Sequence, residues 1–429
     1  MKIPAHELKC CLSRRDFIQI GMVGLGGVGL AGLLRQERLL GASRRNLNCI
    51  VLFQLGGNSQ IDTWDPKPEA PADVRGTFKT IPTAVPGVHF TELLPRSAAR
   101  LKKFALIRSM YSDDAIHESA QQYVISGTKR RNDLVHPSLG SVVAHEWGWQ
   151  GGLPPYVAIP TTSRSGGAGF LGSLYEPFNS GDPKVENYSV HDLTLPLGMK
   201  LEQATARSEL LRALDARFRK AEQAGILDRM DEFHQQAYGL VSSPAAKKAF
   251  DVSQEDVKLR EAYGRTTVGQ GALLARRLVE SGVRVVTVFH GGYDTHLDNE
   301  PGMKKVNPEF DQAFAALLDD LDGRGLIANT LVLVLSEFGR TPRINTLAGR
   351  DHWPRSFSVA LAGAGVKGGV VIGSTTPTAS DPKDNPVSIE DLAVTIYKTL
   401  GIDPGKEFHS NGRPIKIANN GKFLSELFS

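Results

Sequence analysis

The residues of this chain best suited to chemistry fall into a few short polar clusters. Gly56–Asp65 carries Asp62 and Asp65, His290–His296 carries Asp294 and His296, and Ser336–Thr341 carries Glu337 and Arg340. Gly349–Trp353 adds Arg350, Asp351 and His352, and His117, with Glu118, opens a predicted helix over His117–Ile125. Carboxylates and imidazoles in this mixture are the oxygen and nitrogen ligands of a hard or borderline divalent cation. Each cluster also has a plainer reading. Asp294 and His296 could close a turn or cap a helix. Glu337 could pair with Arg340 or Arg343. Turn chemistry alone accounts for Asp62 and Asp65 ahead of Pro66.

The elements between them favour convergence. Cys49–Leu55, Ala105–Arg108, Val283–Phe289, Thr330–Leu335, Phe357–Ala362 and Gly369–Ile372 are short and nearly all apolar, the pattern of strands buried on both faces. Pro308–Leu321 and Ser388–Leu400 carry apolar residues at helical spacing, the second with a capping-box signature at Ser388 and Asp391. Ligands of open α/β sheets bind beyond the carboxyl ends of the strands, which is where three of the polar clusters stand. If Val283–Phe289 and Thr330–Leu335 run parallel, Asp294, His296, Glu337, Asp351 and His352 share one edge, with His117 and Asp62 at its margin. Leu201–Gly239 and Ala245–Ser281 are charged, rich in Ala and Leu, and read as long helices that cover the sheet or form a cap. Gly148–Pro183 reads as a surface excursion. The expected architecture is one three-layer α/β/α domain over residues 43–429 with a mostly parallel sheet and a mainly helical insertion around 200–282.

The first 42 residues read differently. Ser13-Arg14-Arg15-Asp16-Phe17-Ile18 precedes a Gly-diluted apolar run and a small-residue end near Gly41-Ala42-Ser43, the layout of a secretory signal. The paired arginines resemble a twin-arginine export signal, an address read by the twin-arginine translocase. The apolar run is about 15 residues, short of the ~20 that span a bilayer, and the mature chain holds no segment of spanning length. A periplasmic or extracellular location is therefore expected. The segment carries six basic and three acidic residues, leaving 44 and 43 in the remainder, a balance without the footprint of a nucleic-acid binder. Of three cysteines only Cys49 lies beyond it, so no internal disulfide can form and stability rests on the core. Cys49 itself is expected to be buried and inert.

Gly56–Pro68, Gly-Gly-Tyr-Asp-Thr-His at Gly291–His296, Ser-Glu-Phe-Gly-Arg-Thr at Ser336–Thr341, Gly-Arg-Asp-His-Trp at Gly349–Trp353 and the closing Glu426-Leu427-Phe428 together resemble domain of unknown function 1501. The resemblance covers roughly Asn48 to Ser429. In its order of elements that family is similar to the alkaline phosphatase and sulfatase superfamily, which implies an alkaline phosphatase-like fold. The resemblance further implies a divalent metal (Zn, Mn, Ca or Mg) held among Asp62, Asp294, His296, Glu337, Asp351 and His352. His117 or Ser119 would attack or orient the attack, and Arg340 or Arg350 would grip the anion. It departs from the superfamily where the first strand ends without a carboxylate and where Phe338 replaces a ligand histidine, so one metal is expected rather than two. Two functions follow as expectations: hydrolysis of a phosphate or sulfate ester, of a small molecule or a polysaccharide, or a non-catalytic scaffold binding an anionic polysaccharide or a cell-surface partner.

Overall fold

The computed structural model describes residues 47–131, 133–149, 152–190, 203, 239–418 and 420–428. The segment over residues 1–42, where the export signal is expected, and most of Leu201–Gly239 lie outside the described residues.

Among the described residues nine strands form the main sheet: β1 (Asn48–Gln54), β2 (Ala105–Tyr111), β3 (Tyr156–Ile159), β4 (Phe178–Asn179), β5 (Val285–His290), β6 (Thr330–Ser336), β7 (Phe357–Ala362), β8 (Val371–Ile372) and β9 (Val387–Ser388). Their order is β8-β2-β7-β6-β1-β5-β3-β4, with β9 alongside β2. Only β7 runs antiparallel, against β2 and β6. The sheet is thus mostly parallel, and its centre, β6-β1-β5, is entirely so.

Side chains alternate across β1 as strand geometry requires. Ile50 and Leu52 enter one apolar layer with Leu273, Leu274, Phe310 and Phe314. Cys49, Val51 and Phe53 enter the opposite layer with Tyr123, Val142, Val143 and Ile396. Both layers exclude water, so β1 is apolar from Cys49 to Phe53, between the polar Asn48 and Gln54, and burial pushes the Cys49 thiol pKa up. The first layer is built on α3 (Thr267–Glu280) and α4 (Asn299–Gly323), the second on α1 (His117–Ser126), α2 (Leu139–Trp147) and α5 (Ile389–Leu400). This is a three-layer α/β/α arrangement. The α5 start is a capping box in which Ser388 and Asp391 bond each other's backbone N–H.

Two expectations change. Tyr156–Ile159, inside the stretch read as a surface excursion, is a fully buried strand paired parallel to β5. Its four residues are too few to show a period against the Pro- and Gly-rich background. Ala245–Ser281 is three helices, Pro244–Phe250, Val257–Tyr263 and α3, and α3 is a core helix packed on the sheet.

Register brings the strand ends level. Gln54 at the end of β1 pairs with His290 of β5 on one side and Ser336 of β6 on the other. The loops leaving these residues emerge side by side. Gly56, at φ +112°, lies so close to the Tyr293–Asp294 backbone that a Cβ would come within 2.5 Å of Asp294 N. Only glycine permits that approach, and it locks the Asp294 loop to the end of β1. Among the described residues, no helix is long and apolar enough to cross a membrane.

Candidate metal centre

Three imidazoles and one carboxylate converge at this edge. Asp294 follows β5 by four residues. Its Oδ1 lies 3.1 Å from His296 Nε2 and 3.3 Å from His352 Nε2, and its Oδ2 lies 3.3 Å from His117 Nε2. His296 Nε2 and His352 Nε2 are 2.9 Å apart. One donor atom from each of His117, Asp294 and His352 fits within a 4.8 Å group.

The far nitrogen of every ring is already committed. His117 Nδ1 faces Glu337 Oε1 at 2.9 Å, His296 Nδ1 faces Asp351 Oδ1 at 2.7 Å, and His352 Nδ1 faces the Ala115 carbonyl at 2.7 Å. Each partner is an oxygen acceptor, so these contacts assign the Nδ1–H tautomer to all three rings. Three Nε2 lone pairs then point inward. Those of His296 and His352 face each other at hydrogen-bond distance with no proton to share unless one ring is charged or a cation lies between. His117 Nε2 is buried and has no hydrogen-bond partner despite its nearness to Asp294. Tying back the outer nitrogen while leaving the inner one free is the second-layer arrangement of metal-ligating histidines.

The surroundings fix these groups. Glu337, wholly buried, also accepts from the Gly56 N–H at 2.7 Å. Phe338 packs its ring 5.0 Å from the His117 ring and 4.5 Å from the His352 ring. Gly57 also touches the Phe338 ring, where a Cβ would clash at 2.6 Å. Gly339–Arg340 pairs antiparallel with His352–Trp353, which sets His352 opposite Arg340. Asn345 bonds both the His296 carbonyl and Asp351.

Electrostatics separates the members. Burial opposes the charge on Asp294, but the Arg340 guanidinium, 2.5 Å away, brings its carboxyl down to about 2. The bond to Glu337 raises the His117 pKa, whereas burial lowers that of His352. The contact with His296 lowers Asp351. The Asp294 side chain keeps 47% of its surface and His296 42%, so the cluster opens to solvent.

Of the residues singled out from sequence, Asp294, His296 and His352 meet with His117 in the inner group. Glu337 and Asp351 stand one layer out, each holding an imidazole. Arg340 is buried, with bonds to the Gly56, Gly57 and Arg350 carbonyls and to Asp294. Asp62 and Arg350 lie away from the cluster, paired with each other at 2.8 Å. Ser119 donates to Asp114 Oδ1 at 2.8 Å. The Ala115 carbonyl, Gly56 N–H and Phe338 ring carry no sequence signal for these roles, because backbone groups and an apolar ring are not marked by type.

The molecule is therefore a three-layer α/β/α protein with an imidazole–carboxylate cluster at the carboxyl edge of its parallel strands. Residues 46–428 match the family described as protein of unknown function (DUF1501), and the chain belongs to that family. No curated protein matches the sequence. Among solved structures it is similar to a phosphonate monoester hydrolase from Silicibacter pomeroyi, at 12% identity and TM-score 0.39 over 89% of this chain and 76% of that one. It is also similar to the PsFucS1 sulfatase from Pseudoalteromonas sp. (12%, 0.39, 86% and 70%). A third is the C-terminal periplasmic domain of EcEptC from Escherichia coli, in complex with Zn (11%, 0.36, 89% and 95%). At these scores the likeness carries no argument about chemistry.

Proposed function

We propose that this chain is an exported, metal-dependent hydrolase of phosphate or sulfate esters with a single-cation site. The observation that carries the reading is the convergence of the three Nε2 atoms on Asp294, with every Nδ1 tied to an oxygen. His117, Asp294, His296 and His352 would hold the cation. A set of three nitrogens and one carboxylate suits zinc or another first-row divalent ion better than calcium or magnesium, which favour oxygen. Such a cation would supply Lewis acidity toward an ester oxygen.

The chain's own groups do the rest. Glu337 and Asp351 orient their imidazoles and raise their basicity as ligands. Arg340 positions Asp294 and offsets its charge. Ser119 stays a candidate for attack, with Asp114 as the acceptor for its proton. Arg350 is committed to Asp62, so the substrate anion meets the inner group rather than that guanidinium. The twin-arginine leader supports export.

One observation favours the second reading, a metal-free scaffold that binds an anionic polysaccharide or a surface partner: Arg340 already neutralises Asp294. The two are separated by metal analysis of the purified full chain together with hydrolysis of aryl phosphates and sulfates. About one equivalent of metal, lost in His352→Ala together with activity, supports the hydrolase. Metal-free, inert protein with unaltered folding refutes it.

A further inference from the structure

A cleft of about 620 Å³ is lined by Leu55, one residue before Gly56, and by Gly292, two residues before Asp294. It sits at the ends of β3 and β5, where Leu55, Phe289 and Gly291 contribute lining and the loop over residues 160–163 forms a wall. Ligand sites commonly enclose roughly 300–1,000 Å³. A phosphate or sulfate group has only five heavy atoms and would leave most of this volume empty. The cleft has room for whatever the anion is attached to.

Its lining defines that group. Leu55 and Phe289 give apolar surface. His290, Lys305 and Glu309 give donors and an acceptor of both signs, and Thr161, Thr162 and Ser163 add hydroxyls. His290 is oriented by the Tyr293 hydroxyl at 3.1 Å, which in turn accepts from Gln54 at 3.1 Å. Its other nitrogen lies 3.8 Å from Glu309. Asp182, which accepts from Thr267 at 2.8 Å, and Glu309 beside His290 outnumber Lys305 in the lining, so the cleft does not select an anion. Apolar patches beside paired donors and acceptors match a ring with C–H faces and hydroxyl edges.

We infer that this cleft is a saccharide subsite, which holds the sugar bearing the ester presented to the Asp294 cluster. The placement of the ester rests on the hydrolase reading; the binding of the sugar does not. Gly291 offers a clean probe. Its φ is not in the left-handed region, and an added Cβ would meet nothing within 4 Å. Gly291→Leu therefore fills cleft space without displacing the fold.

The test is calorimetric titration of the full chain as purified, with a panel of neutral and monosulfated gluco-, galacto- and N-acetylhexosaminyl disaccharides. At least one should bind, and Gly291→Leu should weaken it tenfold or more. Lys305→Ala, at an exposed position, should weaken it severalfold and serves if the leucine variant does not fold. Absence of binding across the panel, or equal affinity in parent and both variants, overturns the subsite. Metal content on the same samples judges the hydrolase separately, since saccharide binding by a protein that never takes up metal would keep the subsite and discard the hydrolase.

Discussion

Two aspartate–arginine pairs sit close to the same edge of the sheet and have opposite characters. In the first, Asp62 and Arg350 are buried to within 1% of full burial. Asp62 also accepts from Ser59 and Asn299. Arg350 directs its N–H groups to both Asp62 oxygens and to the carbonyls of Val74, Thr341 and Pro342. Every donor and acceptor is met, and water has no access. In the second, Arg340 is equally buried, but Asp294 turns half its surface to solvent among three imidazole lone pairs. Residue type does not distinguish these pairs. Satisfaction does: the first is closed, and the second has donor atoms aimed at a point they do not fill.

The contrast breaks most readily at the closed pair. Arg350→Ala leaves a buried carboxylate without its partner, a loss of about 3–5 kcal/mol, read as a fall in the urea midpoint at unchanged slope. The loop that carries Asp351 and His352 is anchored through Arg350 and should loosen with it. The double variant Asp62→Leu/Arg350→Met should recover only part of the loss, because no unpaired charge remains but Ser59, Asn299 and the Val74 carbonyl lose their partners. A single variant within about 1 kcal/mol of the parent would show the pair to be dispensable.

At the open pair the largest effect should come from metal removal. A ligand that binds only the folded state stabilises it by about 2.7 kcal/mol at a hundredfold excess over its dissociation constant. Chelator should lower the melting temperature of the parent by several degrees and leave Asp294→Asn and His352→Ala nearly unmoved. A parent indifferent to chelator would make the two pairs alike in kind.

Glu337→Gln probes the layer behind. The amide oxygen can still accept from the Gly56 N–H, but the charge facing His117 is lost. Changes to such outer partners typically cost about 10–100-fold in metal affinity. The same substitution should leave metal-free stability within about 1 kcal/mol, which a merely structural glutamate would not predict.

How far the sequence could go follows from these same residues. The parallel strands were legible because burial on both faces leaves apolar runs, and their shared polarity brings Asp294 and Glu337 to one edge. His352 was legible from the same clustering. The absence of Asp62 from the imidazole cluster was not, because its partner stands 288 residues away, and arginine beside aspartate in sequence is silent about which pairs close. His117 read as marginal and stands in the centre, because Glu337, one residue past β6, holds its ring. The short strand β3 was hidden for want of length.

The smallest effect sharpens the comparison in acid. Asp294 has a folded pKa of about 2, below the ordinary 3.8. A depressed carboxyl contributes stability that is fully present above the unfolded value and lost as pH falls through the folded one. The window is therefore between about pH 4 and pH 2, with stability falling as acid is added. Because the Asp294 side chain is 47% exposed, solvent screens the pair, and its contribution should be no more than the ~1 kcal/mol of surface ion pairs. Asp294→Asn should flatten that part of the profile of the metal-free protein and lower stability at pH 6 by no more than about 1 kcal/mol, as read by urea unfolding at closely spaced pH values. If instead Asn at 294 costs several kcal/mol at pH 6, Asp294 is as structural as Asp62, and the openness of its cluster is not what sets it apart.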